Sequence, residues 1–293
     1  MRTIDLIVEI LKLEGVEFLS CYPMSPLIEA AAVAGIRPII CRQERTGVHI
    51  ADGYTRLCNG KRIGVFTMQF GPGAENAFPG VATAFSDSVP ILILPMGHPR
   101  ERLQVSPFFR SLRAYASVTK WVAELSLAQQ VTDIMRRAFS LLKMGRPGPV
   151  MIEIPMDVAT EEVIDAARYD RPVKSTRTAG DSQDIAEAAR ALLQARSPVI
   201  HAGQGVLYAE AWDELVELAE LLQAPVMSSL EGKSAFPENH PLSLGTGAVT
   251  MTRPVYHFLR QADVVFGIGC SFTRYVMYPN IPPGKVIIQA TNN

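Results

Sequence analysis

The chain has 293 residues, which is too long for one ordinary core and suits two domains of roughly 150 residues each. Hydrophobic residues make up 48% of it, and 28 basic residues nearly balance 29 acidic ones. This composition predicts a soluble globular protein and argues against a nucleic-acid-binding surface, while the net charge of −1 leaves little repulsion to oppose assembly.

The four cysteines, at positions 21, 41, 58 and 270, form no CxxC pair and have no histidine cluster beside them. We therefore expect no metal ligands, and reduced thiols in a cytoplasmic protein. Charged residues interrupt the apolar ones throughout residues 1–18, so we expect neither a signal peptide nor a membrane span there. Residues 1–14 instead predict an amphipathic helix.

The first half of the chain alternates helical patterns with short apolar runs. Strands are predicted at 18–21, 38–41, 63–68, 91–95 and 150–154, and helices at 26–34, 46–57, 73–86 and 127–144. Apolar strands without polar alternation, separated by helices, are typical of a parallel sheet that is covered on both faces.

The pattern fades over residues 157–181, which are charged and contain turn-forming residues. A second series follows, with helices predicted at 184–194, 210–222 and 253–261 and strands at 198–202, 225–228, 264–268 and 286–289. The predicted fold class is α/β with two doubly wound parallel-sheet domains. The expected boundaries are 1–170 for the first domain, 171–183 for a linker and 184–293 for a Rossmann-like second domain.

Three polar segments of the first half lie where predicted strands end, which is where open α/β sheets bind ligands. They are Cys21-Tyr22-Pro23, Arg42-Gln43-Glu44-Arg45-Thr46 and Gly71-Pro72-Gly73-Ala74-Glu75-Asn76. Taken alone, a glutamate at a helix start is more often an ordinary favourable charge at the dipole's positive end, and a GPG turn is more often only a bend. Their combination is more specific than either feature.

Residues 15–158 resemble the N-terminal domain of acetolactate synthases and related thiamine-diphosphate decarboxylases and carboligases. The resemblance rests on Tyr22-Pro23, Arg42-Gln43-Glu44, Ala51-Asp52-Gly53-Tyr54, Gly71-Pro72-Gly73 with Asn76, Asp87-Ser88-Val89-Pro90, Val118-Thr119-Lys120 and Gly145-Arg146-Pro147-Gly148-Pro149. Residues 184–293 resemble the central domain of the same family through Ser197-Pro198-Val199-Ile200, Gly232-Lys233 and His240-Pro241-Leu242-Ser243-Leu244-Gly245.

The resemblance implies that Glu44 hydrogen-bonds the pyrimidine ring of thiamine diphosphate and promotes its imino tautomer. It implies that Pro23, Pro72 and Asn76 line the same ring. The expected chemistry is lyase, decarboxylase or carboligase chemistry on a small 2-keto or 2-hydroxy acid. A carboxyl group in a protein-lined pocket suits the proton exchange, because desolvation favours its neutral form.

Departures from the family pattern surround this predicted site. His98 stands where acetolactate synthases usually carry a glutamine, and it is either a proton shuttle or part of a polar surface loop. Arg100, Arg102, Arg110 and Arg113 either clamp a substrate carboxylate or belong to a solvated loop. Gln69 and Phe70 are bulkier than the small residues of the family, which argues against acetolactate synthesis as the reaction.

The family binds diphosphate and Mg²⁺ in a separate domain, whose Gly-Asp-Gly signature and downstream Asn pair are missing from this sequence. Two explanations are open: a fragment of a longer chain, or a split gene, in which a second chain supplies that domain and the cofactor is shared within a hetero-oligomer. We favour the split gene. In the second half, Gly203-Gln204-Gly205 lacks the fuller nucleotide fingerprint, so FAD or an ADP or CoA nucleotide has no support there.

Two rival functions stay open at this level. One is a 2-hydroxyacyl-CoA lyase or oxalyl-CoA-decarboxylase-like subunit, which would need a CoA nucleotide site on the second domain. The other is a non-catalytic regulatory or scaffold subunit that has kept the fold.

Overall fold

The computed structural model describes residues 1–164, 168–171, 178–273 and 278–292. The chain divides into two compact units, Met1–Thr176 and Arg177–Asn293. Residues 172–177 of the predicted linker lie outside the described residues. Among the described residues, every helix is too short or too polar to cross a membrane.

The first unit is built on seven parallel strands. They are β1 Phe18–Cys21, β2 Arg37–Ile40, β3 Gly64–Thr67, β4 Ile91–Ile93, β5 Met96–Gly97, β6 Trp121–Glu124 and β7 Val150–Pro155. The order across the sheet is β2-β1-β3-β4-β7, with β5 and β6 also paired to β7. The carboxyl ends of β2, β1 and β3 are therefore neighbours at one edge of the sheet.

Helices cover both faces of this sheet. Those of the first unit are α1 Thr3–Leu13, α2 Pro26–Val33, α3 Glu44–Leu57, α4 Pro72–Ser86, α5 Ser111–Tyr115, α6 Val131–Lys143 and α7 Met156–Thr160. One face packs on α1, α2 and α6 through residues such as Ile7, Leu27 and Phe139. The other packs on α3, α4 and α5 through residues such as Val48, Ala77 and Tyr115.

The second unit has a smaller parallel sheet in the order β10-β9-β8-β11-β12. Its strands are β8 Pro198–Ala202, β9 Val226–Ser228, β10 Ser243–Thr246, β11 Val264–Ile268 and β12 Val286–Ala290. Its helices are α8 Ser182–Gln194, α9 Gln204–Ala209, α10 Trp212–Leu222 and α11 Arg253–Gln261. Helices α8, α9 and α10 contribute to one core cluster and α11 to the other.

The predicted fold class is confirmed, and the differences are local. The strand predicted at 91–95 is two short strands, β4 and β5, and Pro95 between them has no N–H to continue a ladder. Strands β6 and β10 were not predicted, because both are sheet edges of mixed composition rather than apolar runs. The segment in which the sequence pattern fades, residues 157–181, still includes the end of one short helix, α7, which continues to Thr160.

Close packing of α3 on the sheet depends on the absence of a side chain at position 47. A Cβ atom there would lie 2.2 Å from Cε2 of Phe66, which is completely buried on β3. Gly53 lies on the same helix, and a Cβ atom there would meet nothing within 4 Å. Glycine is therefore required at only one of these two helical positions.

We expect Gly47→Ala to lower the free energy of unfolding by about 1–3 kcal/mol, because the methyl group overpacks the contact with Phe66. The matched control Gly53→Ala should raise the free energy of unfolding by about 1 kcal/mol through helix propensity alone. Denaturant unfolding of the two variants measures both effects. Equal stability of the two variants would contradict the proposed packing.

Candidate active site

Glu44 is the first residue of α3, directly beyond the carboxyl end of β2. Its side chain is buried, with 5% of the residue exposed. The preceding residue, Gln43, has extended backbone angles and gives the helix no side-chain cap. The Glu44 carboxylate therefore lies by the positive end of the helix dipole, where a negative charge is stabilised.

Asn76 brings a second helix to this carboxylate. Helix α4 begins at Pro72, immediately after Gly71, whose φ of 61° is a left-handed conformation that favours glycine. Asn76 lies one turn further on, and its Nδ2 donates a hydrogen bond to Oε2 of Glu44 at 2.5 Å. The predicted pair is thus in direct contact, although the two residues are 32 positions apart in the chain.

Gly73 keeps the region beside the other carboxylate oxygen clear. A Cβ atom at position 73 would lie 3.5 Å from Oε1 of Glu44 and 2.8 Å from Cγ of Gln69. Any side chain here would fill the cradle formed by the β3–α4 turn.

Tyr115, on α5, supports the first turn of α4 from within the core. Its hydroxyl group donates a 2.6 Å hydrogen bond to the backbone oxygen of Ala74, and the residue is completely buried. Burial raises the pKa of Tyr115 well above its ordinary value, and the nearby Glu44 carboxylate raises it further. The tyrosine is therefore a neutral donor that holds α4 in place next to Glu44.

His98 follows β5 and lies between two aromatic rings. Its ring centroid is 4.4 Å from that of Phe70, in the β3–α4 turn, and 4.9 Å from that of Phe108. Burial lowers the pKa of His98, and the positive charge of Arg102 lowers it further. The imidazole is consequently neutral at pH 7 and has a nitrogen available to accept a proton.

Pro23 and Pro72 are exposed at the ends of neighbouring strands, β1 and β3. The backbone N–H of Tyr22 donates to the oxygen of Thr67, which ties these two strand ends together. Among the described contacts, none joins Pro23 directly to Glu44. The sheet topology thus places Pro23 at the same edge as Glu44, while Asn76 makes the direct contact.

The arginines near His98 have different surroundings. Arg100 forms ion pairs with Asp157 and Glu161, so its guanidinium is already committed within the unit. Arg110 lies over the ring of Phe108, with 5.7 Å between its Cζ and the ring centroid. For Arg100 these ion pairs favour the loop interpretation over the substrate clamp.

Sequence reasoning missed Glu153, a charged residue inside the buried strand β7. Only 5% of it is exposed. Burial raises the pKa of Glu153 to about 7, a hydrogen bond from Ser111 opposes the shift, and the charge of Glu124 adds to it. The signal in the sequence was a single glutamate within the apolar run 150–155, where a buried charge needs a specific reason.

Metal ligands are not grouped in the part of the chain that the structure describes. No three His, Cys, Asp or Glu side chains there are placed to hold an ion. The four cysteines are free thiols.

The second unit holds one unusual side chain, His201 on β8. The residue is 1% exposed, and among the described residues neither of its ring nitrogens has a hydrogen-bond partner. Burial lowers the pKa of His201 to about 4, so the ring is neutral at pH 7. Beyond this strand, Gly203 packs against the backbone of Gly269, where a Cβ atom would come within 2.2 Å of the Gly269 oxygen.

Comparison with known proteins gives the family. Residues 1–126 match the model of the N-terminal TPP binding domain of thiamine pyrophosphate enzymes, and residues 185–293 match the model of the central domain of the same enzymes. The chain therefore belongs to the thiamine pyrophosphate enzyme family, and it contains the N-terminal and central domains of that family.

The relatives agree with this assignment. The chain is 34% identical to a protein of Methanocaldococcus jannaschii named probable acetolactate synthase large subunit, over 93% of this chain and 48% of the relative. It is 35% identical to a glyoxylate carboligase of Escherichia coli O157:H7, over 93% of this chain and 47% of the relative. It thus spans about half the length of these curated relatives.

A solved structure has the same fold. The X-ray structure of a protein assigned as a thiamin diphosphate-dependent enzyme from Mycobacterium smegmatis superposes with a TM-score of 0.85 at 25% sequence identity. The superposition covers 99% of this chain and 57% of that one.

The buried His201 predicts a pH dependence of stability. The unfolded chain binds a proton at this residue near pH 6.5, whereas the folded protein binds it only near pH 4. Stability is therefore lost as the pH falls through this window, by up to about 3 kcal/mol. We expect His201→Leu to lose less stability than the wild type over the same pH range, as measured by thermal unfolding.

The exposed His257 provides the matched control. The variant His257→Leu should follow the wild-type dependence on pH. If His201→Leu also ran parallel to the wild type between pH 6.5 and 4, the burial of a neutral imidazole at this position would be refuted.

Proposed function

We propose that this chain supplies the pyrimidine-binding half of a thiamine-diphosphate active site in a lyase, decarboxylase or carboligase. Its substrates would be small 2-keto or 2-hydroxy acids. The observation that carries the proposal is the buried Glu44 carboxylate, held by Asn76 beside the glycine turn 71–73. The relatives named acetolactate synthase and glyoxylate carboligase support carbon–carbon bond chemistry.

Glu44 would exchange a proton with the ring nitrogen of the aminopyrimidine. Asn76 donates to Oε2, so Oε1, which lies near Gly73, would be the oxygen that meets that nitrogen. The bound cofactor would supply the electron sink that allows a bond next to a carbonyl group to break or form. Tyr115 would keep the first turn of α4, and hence Asn76, at the distance that Glu44 requires.

His98 would act at the substrate side of the same edge. Its neutral imidazole lies against Phe70, the residue that immediately precedes the turn 71–73. A neutral histidine at this place can take up a proton from a substrate hydroxyl group or return one to it. Phe70 and Phe108 would shield the reacting group from water, which strengthens the local electrostatic interactions.

A second chain would hold the diphosphate and its Mg²⁺. Two phosphate groups and a divalent cation need several fixed oxygen ligands, and the described residues offer no group of three candidate metal ligands. The matching relatives are about twice as long as this chain. We propose a hetero-oligomer in a reducing, cytoplasmic compartment, which agrees with four free thiols.

We expect Glu44→Gln to lower turnover by at least ~100-fold in the complex with the diphosphate-binding partner, because the amide cannot exchange the proton. The partner is identified by a pull-down from native extract with mass spectrometry. Turnover is assayed with thiamine diphosphate and Mg²⁺, and assembly is followed by size-exclusion chromatography. Assembly should be unchanged, because Glu44→Gln preserves the size and burial of the side chain.

Glu75→Gln is the matched control, since Glu75 lies in the first turn of α4 and is exposed. It should keep wild-type turnover. Wild-type turnover in Glu44→Gln would remove the catalytic role. A complex that assembles but shows no turnover in the wild type would favour the rival interpretation of a regulatory or scaffold subunit.

A further inference from the structure

The segment that carries His98 begins and ends at the same buried carboxyl group. Residues 98–110 connect β5, which ends at Gly97, to α5, which begins at Ser111. Gly97 and Ser111 both contact the side chain of Glu153 on β7. We call residues 98–110 the His98 loop.

The contact at the start of the loop is between backbone and carboxyl group. A Cβ atom at position 97 would lie 2.9 Å from Cγ of Glu153 and 3.2 Å from its Oε1. Gly97 also pairs with Pro155 through the β5–β7 ladder. The backbone that leads into His98 is therefore laid directly on the Glu153 side chain, with no room for a larger residue.

The contact at the end of the loop involves a buried hydroxyl group. Ser111 is 2% exposed, and its hydroxyl group favours the carboxylate form of Glu153. Ser111 begins the short helix whose other end, Tyr115, holds the first turn of α4. Glu153 thus anchors the helix that supports the Asn76–Glu44 pair.

The surroundings of Glu153 favour its neutral form. From β6, Glu124 lies beside it in register and brings a like charge. From α5 comes the neutral hydroxyl group of Ser111, and from β5 comes Gly97. Among the described ion pairs, none includes Glu153. A carboxylate here would have a like charge beside it and little water.

We propose that Glu153 is a positioning residue that, in its neutral form, packs against Gly97 at the start of the His98 loop and so fixes the place of His98. Ionisation of Glu153 demands hydration beside Glu124, which separates Gly97 from the carboxyl group and loosens the loop. The raised pKa of Glu153, about 7, puts this change in the neutral range. The inference depends on the proposed function only for the catalytic meaning of His98.

The test follows the His98 imidazole by NMR in the 293-residue chain, with its signal assigned by comparison with His98→Gln. In the wild type, the signal should show its own titration below the ordinary histidine value and a second inflection near pH 7. Glu153→Gln should remove the second inflection and leave the first. A residue with a merely structural role would not transmit a titration to His98.

Two further variants test the direction of the effect. Glu124→Gln should move the second inflection to lower pH, because it removes the like charge. Ser111→Ala should move it to higher pH, because it removes the hydrogen bond that favours the carboxylate. Glu101→Gln, a change of an exposed carboxylate within the loop, should leave the inflection where it is.

The inference is overturned if the inflection near pH 7 is absent from the wild type or persists in Glu153→Gln. It is also overturned if Glu124→Gln and Ser111→Ala shift the inflection in the opposite directions. Should Glu153→Gln fail to fold, these two shifts still decide. The measurement needs neither partner nor turnover, so a failure of the proposed function would not change its outcome.

Discussion

A buried carboxylate is tolerated only where donors or a favourable dipole replace water, and Glu44 obtains both from two helices that follow β2 and β3, the strands on either side of β1. Helix α3 provides the dipole and α4 provides the Asn76 amide. The two helices pack closely because Gly80 on α4 faces Val48 on α3, where a Cβ atom would come within 2.9 Å. The geometry of the site therefore depends on how tightly α3 and α4 approach each other.

Helix α5 packs on the same face of the sheet as α3 and α4, and it extends this dependence towards β7. It is only five residues long, yet its two ends are fixed by buried hydroxyl groups. Ser111 reaches Glu153 and Tyr115 reaches the backbone of α4. Two buried carboxyl groups, Glu44 and Glu153, are thus linked through one short helix. The His98 loop begins after Gly97, which contacts Glu153, and it ends before Ser111, the first residue of α5.

The second unit matches the central domain of the same family, and its notable residues lie in its interior. Its glycines at positions 203 and 269 bring backbone against backbone at the end of β8, so they have a packing role in the described residues. His201, beneath this turn, is a neutral polar group in an apolar core. Its burial lowers the free energy of unfolding only at a pH low enough to protonate the ring. At neutral pH the uncharged ring is compatible with a stable sheet.

The sequence by itself determined the two parallel-sheet units and the strand ends at which Glu44, Pro23, Pro72 and Asn76 stand. Apolar runs and glycine turns are local signals, because buried strands require consecutive apolar residues and tight turns require glycine. Only the tertiary structure decided which side chains touch. Asn76 meets Glu44, and Ser111 and Gly97 meet Glu153, across many intervening residues. Such contacts depend on strand order and on helix packing distances, and no short window of sequence contains either.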